Sequence, residues 1–199
     1  MKLTVILPAH NEGANIREVI LGIKQYVDNI IVVDDGSKDN TYFAAKESSP
    51  NVVVLKHKIN LGKGAALKTG CEAALKLGSE IIALMDADGQ HAPEDIIKMV
   101  EKLEKENLDI IFGVRLMNEA MPLLTRWGNR LLTKIINFLS GVSLSDTQSG
   151  LKVFRASIYP KIAWQTNDYS VETEIMLKIG KNKLKYSQFP IQTIYRDVY

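Results

Sequence analysis

The chain has 199 residues, 46% of them apolar and 24% charged, which fits a globular domain with a sizeable core. Its formal net charge of +2 gives no electrostatic case for nucleic acid as a partner. Cys71 is the only cysteine, so an intrachain disulfide is excluded. A reducing compartment suits that composition. No signal-peptide pattern opens the chain, and Ile135–Leu144, its nearest approach to a membrane span, is too short. The expected location is therefore cytoplasmic. The chain stops at Tyr199 without a polar tail, as a fragment of something longer would.

Through the first two-thirds, short β-branched runs alternate with helical patterns. Thr4–Leu7, Ile30–Val33, Val52–Leu55, Ile81–Met85 and Ile110–Phe112 are nearly continuous apolar runs, the mark of strands buried on both faces. Between the first two, Ile16, Val19, Ile20, Ile23 and Val27 recur at helical spacing. Ala65–Leu77 is alanine-rich and helix-favouring. Pro93, Glu94 and Asp95 make a helix first turn ahead of an apolar face of Ile96, Ile97, Val100 and Leu103. Repeated βαβ units predict one α/β domain with a mainly parallel sheet and helices on both faces. Beyond Arg115 the pattern changes. Pro122–Leu139 reads as a helix with Leu124, Trp127, Leu131, Leu132, Ile135 and Leu139 apolar and Arg126, Arg130 and Lys134 basic, in a stretch without acid from Glu119 to Asp146. It suits either an anionic lipid surface or a core helix with a solvated face. Val171–Ile179 reads as helix, and Lys152–Phe154 and Tyr186–Ile194 as strands.

Acidic residues gather where strands end. Asp34 and Asp35 follow Ile30–Val33, and Asp86 and Asp88 follow Ile81–Met85. Ligands of a doubly wound sheet bind beyond the carboxyl ends of its strands, so the two acidic turns converge on one edge. Asp86 and Asp88, two apart in extended backbone, point the same way and suit Mg²⁺ or Mn²⁺, with Gln90 and His91 one step further. The same residues also read as an ordinary turn and a cap. A doubled aspartate repels itself unless something hydrogen-bonds it, and a ribose or base amide is one solution. Asp34–Asp39 equally reads as a capping turn with Ser37 or Asp39 as cap, and Asn11–Glu12 as a helix cap or a grip on a base. Asn60–Ala65 puts glycines and Lys63 before a helix, as a phosphate cradle or as a glycine turn with a solvated lysine. It lacks Walker A spacing. His10, His57 and His91 lack zinc-ligand spacing, and no nucleophile elbow is present.

Pro8–Glu12, Asp34–Thr41, Asn60–Gly64 and Asp86–His91 together resemble the family 2 inverting glycosyltransferases, within them the dolichol-phosphate mannose synthase and polyprenyl-phosphate glycosyltransferase branch. The likeness continues through Gly113–Arg115, Gln148–Lys152, Glu172–Glu174, Phe189–Ile191 and Tyr195–Arg196, so it covers nearly the whole chain in order. It implies a GT-A fold over 1–199, with a nucleotide-sugar half at 1–115 and an acceptor half at 116–199. It also implies transfer of a hexose, mannose or glucose, from a GDP- or UDP-sugar to a polyprenyl or dolichyl phosphate. By matching positions, Pro8, His10, Glu12, Val33 and Asp35 hold the nucleoside, and Asp86, Asp88 and Gln90 the metal. Ala87 touches the nucleotide, Arg115, Lys152 and Arg196 contact phosphates, and Lys63 belongs to the nucleotide-sugar site. Arg115 and Arg126 serve the acceptor phosphate, and Asp88, Arg115 and Arg196 carry catalysis. The family often has tyrosine or phenylalanine at the position of His10, and relatives often continue past the Tyr-Arg segment. The implied partners are a nucleotide-sugar donor, a lipid-phosphate acceptor and the cytoplasmic face of a membrane.

Three rival readings remain open at this level. A soluble or polysaccharide acceptor would want a carboxylate base, for which Glu172 or Asp146 is available. A sugar nucleotidyltransferase would carry its phosphate loop directly after the first strand, where this chain has Ala9–Glu12. A non-catalytic nucleotide-sugar binder would have no use for both Asp86 and Asp88.

Overall fold

The structure, a computed structural model, describes residues 1–115, 133–168 and 170–192. Seven strands form one sheet: β1 (Leu3–Ala9), β2 (Asn29–Asp34), β3 (Val52–Lys56), β4 (Ile81–Leu84), β5 (Ile110–Arg115), β6 (Lys152–Arg155) and β7 (Tyr186–Ile191). Their order is β3-β2-β1-β4-β6-β5-β7. Every neighbouring pair is parallel except those of β6, which runs antiparallel to both β4 and β5. The expected mainly parallel α/β sheet is thus present. The reversed strand within it is a feature that apolar patterning alone cannot reveal, because direction leaves no mark on a four-residue run.

Helices α1 (Ile16–Ile23), α2 (Thr41–Lys46), α3 (Lys63–Lys76) and α4 (Pro93–Lys105) follow the first four strands in turn. A helix over 133–140 (α5) precedes β6. After β6 come a 3₁₀ turn (Ala156–Ile158), α6 (Tyr159–Ile162) and α7 (Val171–Asn182). Two apolar clusters result, one on each face of the sheet. Ile16, Val19, Ile20 and Ile23 of α1 pack with Ile96, Met99, Val100 and Leu103 of α4 under Val5, Leu7 and Val32. Leu67, Cys71 and Ala74 of α3 pack with Ile175, Met176 and Ile179 of α7 under Ile6, Ile31 and Val33. Alternate residues of each strand serve opposite clusters, as the two-residue side-chain period requires. At Gly70 a Cβ would lie 2.3 Å from Ile6 Cγ2, so α3 sits on β1 at a distance only glycine allows. The long basic helix expected over Pro122–Leu139 is described only in its last part. There Ile136 is buried, while Ile135, Phe138 and Leu139 are 47%, 87% and 65% exposed.

The segment between α6 and α7 positions the start of α3. Asn167 O accepts Gly64 N–H at 2.9 Å and Ala65 N–H at 3.4 Å, and Trp164 Nε1–H donates to Gly64 O at 2.8 Å. Such proximity needs glycines. A Cβ on Gly62, whose φ is +98°, would lie 2.1 Å from Asn167 O, and one on Gly64 2.4 Å from Thr166 O. Glu174 of α7 holds this segment in turn, accepting Gln165 N–H and Thr166 N–H and pairing with Lys178 at 2.9 Å.

Burial pushes the Glu174 pKa up, but Lys178 and the amides of Gln165 and Thr166 outweigh it and hold the value at about 2, below the ordinary 4.5. The carboxylate's contribution to stability is therefore complete above about pH 4.5 and is lost as pH falls through about 2. Glu174→Gln is expected to cost about 1–2 kcal/mol at neutral pH. The gap in melting temperature between wild type and variant should narrow as acid approaches that lower value. An equal gap at neutral pH and at about pH 3 would contradict this assignment.

Candidate active site

A cleft of about 330 Å³ opens at the carboxyl edge of β1, β2 and β4. It is lined by Pro8, Ala9, His10, Glu12, Asp35, Asn60, Gly62, Lys63, Ala66, Asp86, Ala87, Asp88 and Asp168. The two acidic turns, far apart in sequence, do meet there.

At its inner side stands a row of alternating charges. Lys63 Nζ lies 2.7 Å from Asp86 Oδ1 and 3.0 Å from Glu172 Oε1, and Lys152 Nζ lies 3.9 Å from the same Glu172 oxygen. His91 Nε2 is 3.9 Å from Asp86 Oδ2. Burial opposes ionisation of Asp86, but His91 and Lys63 prevail and hold its carboxyl well below the usual carboxylate range. Burial likewise opposes the charge on Lys63, and Asp86 and Glu172 raise its pKa above the ordinary lysine value in spite of it. For Lys152, enclosed on all sides, burial wins over Glu172 and the pKa falls. Its ammonium donates to Ser149 O at 2.7 Å.

The backbone explains why Asp86 stands where it does. Antiparallel β6 pairs Lys152 with Leu84 of β4. Continuing that register by two residues brings Gly150 opposite Asp86. A Cβ on Gly150 would lie 2.0 Å from Asp86 Oδ2, so the carboxylate fills the space a side chain would need. Asp88 Oδ1 accepts Gln90 N–H at 2.9 Å across a turn in which Gly89 has φ +74°. The turn reading of this segment therefore holds, and both carboxylates face the cleft as well.

At the other end, the doubled aspartate is satisfied within the protein. Asp34 pairs with Lys56 at 3.2 Å and accepts Ser37 N–H. Asp35 accepts from His57 Nδ1 at 2.7 Å, Leu61 N–H at 2.9 Å and Gly62 N–H at 2.8 Å. These bonds and those of Asn167 O engage the amides on either side of Lys63 in the Asn60–Ala65 turn. The amides of Leu61 and Gly62 serve Asp35, and those of Gly64 and Ala65 serve Asn167. What this turn offers the cleft is the Lys63 side chain. His10 Nδ1–H donates to Asp35 O at 2.8 Å, which fixes the ring at the cleft wall. Asn11 holds the neighbouring turn through Ser37 Oγ and Lys38 N–H, and Glu12 O accepts the amides of Asn15 and Ile16 at the start of α1. Asp39 takes the cap-like bonds from Gly13 and Thr41.

Of the other expected residues, Val33, Gln90, Arg115 and Lys152 are not part of the cleft lining. Val33 is fully buried in the apolar cluster beneath it, and Gln90 is exposed beyond the Asp88 turn. Arg115, at the end of β5, is clasped by Asp146: Nε–H donates at 2.8 Å and Nη2 at 3.3 Å. Burial pushes Asp146 up, but Arg115 and the Gln148 amide bring it below the ordinary carboxylate value. Arg126 and Arg196 lie outside the described residues. Asp168 on the cleft wall was not expected from sequence, and neither was the contact of Glu172 with Lys63. Neither residue lies near a strand end in sequence, and only the packing of α7 against the start of α3 could reveal them.

Hard-oxygen chemistry fits a divalent ion here, since Asp86 and Asp88 share the cleft. Among the described residues, no group of three or more His, Cys, Asp or Glu could hold a metal by itself. An ion at this place would need oxygens from a bound ligand, as Mg²⁺ usually does.

Comparison with known proteins agrees with this architecture. The family description "Glycosyl transferase family 2" matches residues 4–163. The chain is 37% identical over 215 residues to the UDP-N-acetylglucosamine–dolichyl-phosphate N-acetylglucosaminyltransferase of Methanococcus voltae, covering 97% of this chain and 86% of that one. It is 28% identical to the polyprenol monophosphomannose synthase of Mycolicibacterium smegmatis over 98% of this chain and 78% of the other. Among solved structures, glucosyl-3-phosphoglycerate synthase of Mycobacterium tuberculosis superposes with a TM-score of 0.78 at 20% identity, covering 100% of this chain and 73% of that one. That enzyme has also been crystallised with Mn²⁺, UDP-glucose and phosphoglyceric acid. With this sheet, this cleft and a family match over most of its length, the chain belongs to glycosyl transferase family 2 and is a glycosyltransferase of GT-A fold.

Proposed function

We propose that the protein transfers a hexose or related sugar from a GDP- or UDP-sugar to a polyprenyl or dolichyl phosphate, with Mg²⁺ or Mn²⁺ at the donor diphosphate. The observation that carries this reading is the meeting of Asp86, Asp88 and Lys63 in one cleft whose far end is walled by Pro8, His10, Glu12 and Asp35. The names of both enzymatic relatives in sequence point to lipid-phosphate acceptors, and they differ in the sugar. The Mn²⁺ and UDP-glucose of the structural relative support the metal assignment.

In this reading Asp86, Asp88 and Gln90 hold the ion, and Ala87 lies against the nucleotide. Pro8, His10, Glu12, the main chain at Val33, and Asp35 hold the nucleoside. Asp35 already accepts three protein donors, and a ribose hydroxyl would be a fourth, within the capacity of a carboxylate. The divalent ion, when bound, neutralises charge that develops on the departing diphosphate. Lys63 adds a cation at the same place, and Arg115, Lys152 and Arg196, with Arg126, are the cations for the phosphates. An acceptor phosphate is already anionic near neutral pH, so no residue need remove a proton. One of its oxygens attacks the anomeric carbon, the bond from that carbon to the diphosphate breaks, and the nucleoside diphosphate leaves with the electron pair, inverting the configuration. The Asp146 carboxylate is engaged by Arg115, which disfavours it as a base for a sugar hydroxyl.

Asp88→Ala should abolish transfer from radiolabelled nucleotide-sugar to polyprenyl phosphate and remove Mn²⁺-dependent nucleotide binding, with an unchanged circular dichroism spectrum. Full activity in EDTA would remove the metal from the reading. Arg115→Lys should lower turnover by roughly tenfold or more, because lysine cannot reproduce the two-point hold on Asp146. Glu172→Gln should lower it less. A product with retained anomeric configuration would overturn direct displacement.

Association with the cytoplasmic membrane face belongs to the same proposal. Among the described residues no helix is long and apolar enough to cross a membrane. The outward Ile135, Phe138 and Leu139 of α5, beside exposed Lys134, form a surface suited to an anionic bilayer. Flotation with anionic liposomes should weaken when Phe138 and Leu139 are changed to serine. Failure of the intact protein to float would count against it.

A further inference from the structure

We infer that Lys63 competes with the divalent ion for Asp86, so that a donor diphosphate, by drawing the ammonium away, makes metal binding conditional on nucleotide. The inference rests on the reading that Asp86 and Asp88 receive the metal.

Three observations carry it. The Oδ2 oxygen of Asp86 lies in the space that a Cβ on Gly150 would take, 2.0 Å from that position, with His91 Nε2 3.9 Å away. The other oxygen, Oδ1, is held by Lys63 Nζ at 2.7 Å. An ion seeking Asp86 Oδ1 therefore meets the ammonium there, and two cations on one carboxylate repel.

Within the ion-paired row the charges are balanced, while Asp88 and Asp168 are further acids on the cleft wall. Asp86 and Glu172 face Lys63 and Lys152, two carboxylates against two ammonium groups. A diphosphate alone would bring more negative charge to a cleft that already holds Asp88 and Asp168, and a divalent ion alone would meet the Lys63 ammonium at Asp86. Together they nearly cancel, so each favours the arrival of the other.

Lys63 also has somewhere to go. Glu172 Oε1 also stands 3.0 Å from its Nζ, and Lys63 itself lines the cleft. Because Gly62 and Gly64 hold the backbone of this turn against Asn167 and Thr166, only the flexible side chain needs to move. The two-cation clasp on Glu172 keeps the ammonium within reach whether or not it touches Asp86. Lys63 is thus a positioning residue whose charge sets the order of binding.

The test is Mn²⁺ binding by the whole chain, followed through the electron paramagnetic resonance signal of free Mn²⁺, with and without UDP or GDP. Wild type should bind Mn²⁺ weakly alone and on the order of tenfold more tightly with nucleotide. Lys63→Met should bind Mn²⁺ alone about fivefold more tightly than wild type and show a smaller nucleotide effect. Lys63→Arg, which keeps the charge, should remain weak without nucleotide. Lys63→Gln gives the same comparison if the methionine variant fails to fold by circular dichroism. Lys63→Met binding Mn²⁺ alone no better than wild type, with nucleotide-dependent binding intact, would overturn the inference and leave the metal reading standing. Wild type binding no Mn²⁺ even with nucleotide would overturn both.

Discussion

The Lys63–Asp86 ion pair is the contact on which the rest of the cleft depends. Lysine at the first turn of a helix is unfavourable, since the helix N-terminus is itself positive. Burial adds to the cost. The pair persists because distant parts of the chain are arranged around it: the end of β4 presents Asp86, β6 leaves only a glycine opposite, and α7 supplies Glu172 behind Lys63. Asn167 then takes the helix amides that would otherwise repel a cation placed beside them.

Buried ion pairs are weak contributors to stability, because desolvation offsets most of the attraction. Their worth here is positional. Lys63 is held by two carboxylates and Arg115 by one, so both cations are already oriented. On the proposed reading, a site that brings a donor diphosphate and an anionic acceptor together needs cations of this kind more than it needs a proton acceptor. The same scheme accounts for the reversed β6. Running against β4 and β5, it delivers Gly150 and Lys152 to the carboxyl edge, where a parallel strand would have brought its amino end to the opposite side.

Much of this was legible in the amino-acid order, and the limits have physical causes. Apolar runs such as Ile30–Val33 and Ile81–Met85 revealed buried strands because a two-sided core leaves no polar alternation. The carboxyl-edge rule then placed Asp35, Asp86 and Asp88 in one cleft before any coordinates. Short α2 carried too little periodicity to be read, and the direction of β6 left no signal at all. The hydrogen bonds of Asp35 and of the α3 amides went unforeseen because their partners, His57, Leu61 and Asn167, are supplied by turns whose tertiary placement no local pattern encodes. A glycine-rich turn before a helix has the same local appearance whether its amides face a ligand or a neighbouring loop. Glu172 escaped as a partner of Lys63 for the same reason: the contact joins α3 to α7, far apart in sequence and packed on one face of the sheet.

The most direct test of the organisation around Asp86 is a crystal structure with Mn²⁺ and UDP or GDP bound. The expected result is one anomalous peak for Mn²⁺ at the carboxylates of Asp86 and Asp88, bridged to the diphosphate, with the Lys63 ammonium moved from Asp86 toward the phosphate. A metal–nucleotide complex bound elsewhere, or Lys63 still on Asp86 with the diphosphate in the cleft, would contradict it.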